Sequence, residues 1–521
     1  MFKRWSVVFC GLFGLAWPCV AGLDREALIE KVIAVRPHPR QLAWQELEFT
    51  CFVHFGVNTF RGVEWGDGHE DPAIFQPTDL DTDQWCRVAR DAGMRLVLFT
   101  AKHHDGFCLW PSRYTRHSVA SSPWRDGHGD VLRDLAASCR KYGLKLGVYL
   151  SPADLYQIEH PEGLYGNGSA YRRRTIPRPV EGRPFEDPRT FEVEADDYNE
   201  YFMNQLFELL TEYGPIHEVW FDGAHPKRKG GQQYTYSQWY DMIRELAPQA
   251  VIAIKGPDVR WCGNEAGWTR PAEWSVIPIG APPGKWTWPD MQAADLGSLE
   301  RIAEVLGEGG VLHWYPAETN TSIRHGWFWR DERQHVKPAE EILDIWYRSV
   351  GGNTVFLLNV PPDRRGRFAD RDVRVLQEVG RVLRETFAHN LATGATARCS
   401  APSEPGREPA RILDGDPTTC WMPKREAPME LVVMLPEPRR FNRIVLQEPI
   451  ADFGQRIGRF AVDVGVDDGW KTVAEDTVVG YKRICRIETG TTDRVRIRIV
   501  DCRSVPTISE FGLYLEPPRE P

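Results

Sequence analysis

The sequence predicts an α/β fold: a (β/α)8 TIM-like barrel followed by an all-β sandwich domain. Apolar strand-like segments alternate with amphipathic helical segments over the first 390 residues, and this alternation is typical of parallel strands joined by crossover helices. Eight such units fit a TIM barrel. An open doubly wound sheet is the alternative, but the sequence lacks the Gly-rich phosphate loop that usually follows its first strand.

The fourth predicted strand, 218–223, shows the alternation best. Val219 and Phe221 would share one face, while Glu218, Trp220 and Asp222 share the other. A carboxylate facing inward suits a barrel strand that ends at a pocket, although an Asp-Gly pair also commonly opens a turn. The eight predicted strands lie near residues 49–55, 95–101, 145–151, 218–223, 251–255, 274–278, 311–316 and 354–360.

Helices are predicted between these strands. Apolar residues recur at helical spacing in 82–92, 130–142 and 196–213, and the first two segments stop at glycines. Residues 152–195 are rich in Pro, Gly and Arg and show no period. They predict a long excursion over the mouth of a pocket.

Beyond residue 390, short segments rich in Val, Ile and Phe alternate with Pro, Gly and Asp turns, a pattern typical of a β sandwich. Residues 1–21 carry Lys3 and Arg4, an apolar run and a small residue at the end, which predicts a signal peptide and export to the periplasm or outside the cell. The predicted domains are a signal peptide at 1–21, a catalytic barrel at 22–390 and a sandwich at 395–516.

Composition excludes several classes of protein. The formal net charge is −9 and no basic block is present, which argues against nucleic acid or an anionic membrane as a partner. No segment beyond the N-terminus has the roughly 18 apolar residues that span a bilayer. The 11 cysteines include no CxxC pair, so no zinc site or other cofactor is predicted. The sequence does not indicate the oligomeric state.

Polar residues at the predicted strand ends are candidates for an active site, because TIM-barrel sites form there. They comprise carboxylates, imidazoles and indoles, without a Ser or Cys nucleophile signature. They are His54 after strand one, His103 and His104 after strand two, Trp220 and Asp222 in strand four, Glu265 in the loop after strand five, Glu273 before strand six, and Trp314 and Glu318 at strand seven.

Two reactions use such residues. Glycoside cleavage needs two carboxylates, about 5–5.5 Å apart for retention of configuration and about 6.5–9.5 Å apart for inversion. Metal-dependent hydrolysis needs histidines that hold a metal and activate water. A metallohydrolase barrel usually shows His-x-His at the end of strand one, where this chain has His54-Phe55-Gly56. The sequence therefore favours a glycosidase and predicts no metal ligand.

Four motifs in residues 45–390 resemble glycoside hydrolase family 29, the retaining α-L-fucosidases. They are His54-Phe55-Gly56, Lys102-His103-His104-Asp105-Gly106-Phe107, Trp220-Phe221-Asp222-Gly223, and Gly351-Gly352-Asn353 with Leu357-Leu358-Asn359-Val360. The resemblance implies an exo-acting enzyme on a fucosylated oligosaccharide or glycoconjugate, with Asp222 as the nucleophile. It also implies a substrate pocket formed by His54, Trp65, His103, His104 and Trp220.

The segment from Arg260 to Glu265 resembles the branch of this family that cleaves α-1,3/1,4-linked fucose in branched Lewis-type glycans. In that branch the glutamate after Gly-Asn is the acid/base, which implies this role for Glu265; Glu273 and Glu318 are alternatives. A broad-specificity α-L-fucosidase and a glycan-binding protein without catalysis stay open as alternative functions.

Residues 395–516 resemble a discoidin-like module of the coagulation factor 5/8 type C kind, a possible carbohydrate-binding module. The motif that carries the resemblance is Leu413-Asp414-Gly415-Asp416-Pro417-Thr418-Thr419-Cys420-Trp421, with Glu510-Phe511 at the last strand. Such modules often hold a structural calcium near this turn, but an Asp-Gly turn alone also explains the motif. Sugar and calcium binding by the module stay open.

Overall fold

The computed structural model describes residues 24–223, 231–271, 273–281 and 293–518. The predicted signal peptide at 1–21 lies outside the described residues. The helices are α1 (Arg25–Ala34), α2 (Pro39–Gln45), α3 (Val57–Arg61), α4 (Thr82–Asp91), α5 (Val131–Tyr142), α6 (Leu155–Glu159), α7 (Asp197–Glu212), α8 (Tyr236–Leu246), α9 (Leu299–Gly307), α10 (Ala339–Ser349), α11 (Asp370–Phe387) and α12 (Ile450–Phe453). Within these residues, no helix has the length and apolarity to cross a membrane.

The described strands fall into a barrel, a C-terminal sheet and two small two-stranded sheets. They are β1 (Phe49–Val53), β2 (Leu96–Lys102), β3 (Lys145–Leu150), β4 (Arg172–Ile176), β5 (Phe191–Ala195), β6 (Ile216–Phe221), β7 (Val251–Ile254), β8 (Arg260–Trp261), β9 (Val276–Ile279), β10 (Val311–Trp314), β11 (Ala317–Ser322), β12 (Thr354–Asn359), β13 (Thr396–Cys399), β14 (Met429–Gln447), β15 (Ile457–Val466), β16 (Gly469–Thr477), β17 (Arg483–Cys502) and β18 (Glu510–Tyr514).

Eight parallel strands form the barrel, in the order β7-β6-β3-β2-β1-β12-β11-β8. β1 lies between β12 and β2 in parallel register, so the first and last barrel strands of the chain are neighbours. A parallel bridge between Ala253 and Val259 joins the two ends of the sheet and nearly closes the ring. The predicted TIM-like barrel is therefore confirmed.

Two of the eight predicted barrel strands are wrong. The segments at 274–278 and 311–316 form β9 and β10, which pair antiparallel with each other outside the barrel. Their places are taken by β8 and β11, which pair in parallel with each other. The apolar pattern of the two segments is real, but it reflects burial of this two-stranded sheet against helices α1 and α9 and not barrel pairing. Trp314 lies in the two-stranded sheet, where its indole N–H donates to Gln45.

The helices that separate β1, β2, β3 and β6 begin with aspartate caps. Asp81, Asp130 and Asp196 each accept a backbone N–H from the first turn of α4, α5 and α7, which satisfies donors that have no partner within the helix. The helices match the predicted segments 82–92, 130–142 and 196–213 to within one residue at each end. Their apolar faces then pack the strands into one core.

The excursion at 152–195 holds the short helix α6 and the hairpin of β4 and β5. It packs on α7, where Tyr165 contacts Tyr198 with ring centroids 5.0 Å apart. Arg174 of β4 also forms an ion pair with Glu200 at 2.8 Å. The segment is thus fastened to the outside of the barrel beside α7.

The C-terminal domain is all β and antiparallel, as predicted. Its sheet order is β13-β14-β17-β15-β16, and β18 pairs with β14. β14 and β17 are long paired strands, and their register shifts between Met434 and Arg439. Both strands contribute to a core separate from that of the barrel. In the acidic turn, the Thr419 hydroxyl donates to Asp414 at 2.8 Å.

The two domains meet at the N-terminal ends of the barrel strands. The Tyr481 N–H donates to Asn353, just before β12, at 2.8 Å. The Ile484 N–H donates to the Gly351 carbonyl at 3.0 Å. Lys482 forms an ion pair with Glu48, just before β1. This end of the barrel is the one opposite the strand tips where an active site is expected.

Candidate active site

A cavity of about 310 Å³ opens at the C-terminal ends of the barrel strands. The seven residues that the sequence and the family resemblance assign to the site all line it. Of the other strand-end candidates, Glu273, Trp314 and Glu318 do not, and the excursion at 152–195, predicted to lie over the pocket mouth, contributes none of the lining. The lining residues are Phe52, His54, Glu64, Trp65, His103, His104, Tyr149, Trp220, Asp222, Gly223, Ile254, Trp261, Glu265, Asn320 and Trp327. Its volume is at the lower end of the range for small-molecule sites, which suits a single sugar ring.

Asp222 stands just beyond the end of β6, with its side chain about a quarter exposed. The Tyr149 hydroxyl donates to its Oδ2 at 3.0 Å, and His104 Nε2 lies 3.8 Å from the same oxygen. Trp220, two residues earlier on the same strand, lines the cavity beside it. The carboxylate is therefore held in one orientation and remains accessible from the cavity.

Two histidines are fixed as neutral hydrogen-bond acceptors. Asn359 uses its Nδ2 to donate to Ser322 and to the Trp327 carbonyl, so its Oδ1 is the acceptor for His54 Nδ1–H at 2.8 Å. Burial lowers the pKa of His54 to about 3. The neutral ring that results presents an unprotonated Nε2, which can accept a hydroxyl proton.

His104 is held in the same tautomer by a different partner. The Ser151 hydroxyl donates to the Ala153 carbonyl at 2.7 Å and accepts from His104 Nδ1–H at 2.7 Å. Burial lowers the pKa of His104 and places that of His103 well below its usual value. His104 Nε2 therefore also acts as an acceptor in the cavity.

The motif after β2 positions these rings by buried polar contacts. Lys102 forms an ion pair with Asp154 at 2.9 Å and also donates to Gln205. The buried Asp105 accepts the Phe107 N–H at 2.7 Å, and burial raises its pKa to about 8. Gly106 has a φ of 82°, and a Cβ there would meet Asp154 at 2.2 Å, so only glycine fits.

Glu265 lies on a tight turn at the opening of the cavity. Asn264 closes the turn, because its Oδ1 accepts the N–H groups of Ala266 and Trp268 at 3.1 Å each. The Trp327 indole N–H donates to Glu265 Oε2 at 3.2 Å. Partial burial raises the pKa of Glu265, as does the charge of Asp222, while the Trp327 bond lowers it; the net direction is upward.

The two alternative acids occupy other positions. Glu273 is buried in ion pairs with Arg260 at 2.6 Å and Arg270 at 3.2 Å. Burial alone would raise its pKa, but these cations lower it. Glu318 lies beneath Trp220, whose indole N–H donates to it at 2.9 Å. Neither residue lines the cavity.

Several lining residues were not predicted. Tyr149 could have been found by the inward alternation that identified Trp220, because its ring stacks on that indole at 5.2 Å. Glu64 adjoins Trp65 in the sequence. Trp261 and Trp327 carry no pattern that marks them. In the part of the chain that the structure describes, no group of three or more Cys, His, Asp or Glu side chains is arranged to hold a metal.

Comparison with known families finds a match for each domain. The α-L-fucosidase family model matches residues 69–267 and 281–386, and the F5/8 type C domain model matches residues 396–511. α-L-Fucosidase 1 of Arabidopsis thaliana is 38% identical over 502 residues, covering 92% of this chain and 90% of the relative.

Solved structures give the same result. A putative α-L-fucosidase from Bacteroides ovatus superposes with a TM-score of 0.78 at 39% identity, covering 96% of this chain and 78% of that chain. A family 29 fucosidase from Ruminococcus gnavus, solved in complex with fucose, gives 0.77 at 29% identity, covering 93% of this chain and 95% of that one.

Proposed function

The chain belongs to the α-L-fucosidase family, glycoside hydrolase family 29, and from this premise we propose a retaining exo-mechanism with Asp222 as nucleophile and Glu265 as acid/base. The enzyme is an α-L-fucosidase, so the earlier alternative of a glycan-binding protein without catalysis is set aside. The observation that supports the roles is the pairing of two differently held carboxyl groups in one small cavity.

In the first step, Asp222 Oδ attacks the anomeric carbon of fucose while the bond to the leaving oxygen breaks. Glu265 gives its proton to that oxygen, and its raised pKa favours the protonated form needed for this. Tyr149 holds the attacking carboxylate in place. A covalent fucosyl-enzyme results.

In the second step, the Glu265 carboxylate takes a proton from water, whose oxygen attacks the anomeric carbon and displaces Asp222. Two inversions give net retention. Proton NMR of the first product should show α-L-fucose before mutarotation. Initial release of β-L-fucose would overturn the nucleophile assignment, because it requires direct attack by water.

Recognition of fucose is proposed to rest on the two neutral histidines and the indole walls. His54 and His104 present acceptor nitrogens for sugar hydroxyls, while Trp220 and Trp65 offer apolar ring surface of the kind that packs on a pyranose. A cavity of about 310 Å³ has no room for a continuing chain on both sides of the sugar. This supports removal of terminal fucose only.

For linkage, we propose a preference for α-1,3/1,4-linked fucose in branched Lewis-type glycans. Support comes from the Gly263-Asn264-Glu265 turn, which resembles that branch of the family and lies at the cavity opening, where the leaving sugar must bind. The branched unit is rigid, so little conformational entropy is lost when it binds.

The test compares kcat/KM for a branched Lewis trisaccharide with that for 2′-fucosyllactose. We expect the trisaccharide to be favoured by about two orders of magnitude, or roughly 3 kcal/mol. Simple aryl fucosides should be poor despite a good leaving group. Rapid turnover of 2′-fucosyllactose would instead assign the enzyme to the broad-specificity branch.

We also propose export to the periplasm or outside the cell, on the basis of residues 1–21. The N-terminal sequence of the enzyme purified from its native source should begin after residue 21. An intact Met1 on the active enzyme would contradict this.

A further inference from the structure

Two carboxyl groups lie together inside the barrel, directly below the cavity. Glu218 of β6 and Glu318 of β11 both have fully buried side chains. Glu218 lies on the same inward face of β6 as Trp220. Neither lines the cavity, and the proposed reaction uses neither.

Each carboxyl group accepts one indole N–H. Trp44 donates to Glu218 Oε2 at 3.2 Å, and Trp220 donates to Glu318 Oε1 at 2.9 Å. The remaining oxygens, Glu218 Oε1 and Glu318 Oε2, are buried and receive no donor from the other described residues. These two carboxyl groups are close enough to bond to each other, which two acceptors can do only if one carries a proton.

Among the described residues, neither glutamate forms an ion pair with a cation, and the charged group that perturbs Glu218 is Glu318. Two uncompensated charges at this depth would cost several kcal/mol each. Burial raises the pKa of both groups, and the neighbouring charge raises that of Glu218 further.

We propose that Glu218 and Glu318 share one proton and act as positioning residues that hold the Trp220 indole against the sugar. The inference rests on the proposed function, in which Trp220 is a wall of the fucose site. Glu318 of this pair, which we call the carboxyl dyad, accepts the Trp220 N–H and so fixes one edge of the indole. Tyr149 and Phe52 pack on the indole with ring centroids 5.2 and 5.6 Å away. Together these contacts define the ring plane beside Asp222.

The first experiment replaces Glu318. Glu318→Leu deprives the Trp220 N–H of its acceptor and isolates the Glu218 charge, so kcat/KM of the folded enzyme should fall about tenfold or more. The inhibition constant of L-fucose should rise in parallel. Glu318→Gln retains an acceptor and supplies an N–H to the Glu218 carboxylate, and it should restore kcat/KM to within about threefold of wild type.

Glu208→Gln is the matched control, because Glu208 is equally buried and accepts the Trp110 indole N–H at 2.9 Å but lines no part of the cavity. It should alter thermal stability without changing kcat/KM or fucose inhibition. Folded Glu318→Leu with wild-type kcat/KM would overturn the positioning role.

The second experiment detects the proton and does not depend on the folding of Glu318→Leu. The infrared difference spectrum of wild type minus Glu318→Gln, near neutral pH, should contain the C=O stretch of a protonated carboxylic acid. Its absence would overturn the shared proton. Wild-type inactivity on all fucosides would instead refute the proposed reaction, and the infrared result would still decide whether the dyad exists.

Discussion

Replacing Trp327 by phenylalanine should move the alkaline limb of kcat/KM to higher pH. The Trp327 N–H donates to Glu265 Oε2 at 3.2 Å. This bond favours the charged carboxylate, so it lowers a pKa that partial burial raises. Phenylalanine keeps an aromatic wall but lacks the N–H. The pKa of Glu265 should therefore rise further, and the proton donor of the first step should persist to higher pH.

The size of the shift follows from the partly exposed position of Glu265. A hydrogen bond to a charged group is worth about 1.5–3 kcal/mol when buried. Solvent screening at a partly exposed site reduces this to about 0.7–1.4 kcal/mol. At about 1.36 kcal/mol for each pKa unit, the limb should move upward by about 0.5–1 pH unit.

The assay is the pH profile of kcat/KM on a branched trisaccharide, whose poor leaving group requires the proton. The same profile on an aryl fucoside with a good leaving group should be much flatter. Trp261→Phe is the matched control, since its indole N–H donates to the neutral Asn320 at 3.0 Å and not to a carboxylate. An alkaline limb that stays in place or moves downward in Trp327→Phe would refute the assignment of Glu265.

Three further predictions test the site. Asp222→Asn should lower kcat by more than about a thousandfold with little change in the thermal unfolding temperature, because an amide is not a nucleophile; substantial residual turnover would contradict its role. Glu265→Ala should slow the trisaccharide about a hundredfold or more while sparing activated aryl fucosides, and equal losses on both would indicate a positioning role. Asn359→Leu should reduce kcat/KM about tenfold, because the His54 ring loses the acceptor that orients it. The alkaline limb should stay in place, and a shifted limb would contradict this role of Asn359.

Much of the barrel could be predicted because six of its strands are apolar on both faces or alternate clearly. β11 could not, since its sequence is Ala-Glu-Thr-Asn-Thr-Ser. Its inward polar side chains form hydrogen bonds with partners distant in the sequence: Glu318 accepts from Trp220, Asn320 from Trp261, and Ser322 from Asn359. The local pattern of apolar and polar residues in the sequence does not indicate such hydrogen bonds. β8 has two residues, too few to show a pattern.

The site was more predictable than its surroundings. His54, His103 and Asp222 follow apolar strands directly, so parallel pairing alone brings them to one rim. Trp327 comes from the segment between β11 and α10, and only the tertiary fold places its indole on Glu265. Strand ends and family motifs therefore identify the residues that line the site, whereas the hydrogen bonds that orient them depend on the tertiary fold.

The attachment of the C-terminal domain determines how the enzyme can approach a glycosylated surface. The domain is fastened beside Glu48 and Asn353, at the base of the barrel, so a carbohydrate bound by the domain would be held away from the open rim. If the domain binds carbohydrate, the open rim would point away from the chain that the domain holds and toward other chains around it. Tethering would raise the effective concentration of those chains at the rim, so glycans within reach of the tethered enzyme would be trimmed faster than the same glycans free in solution.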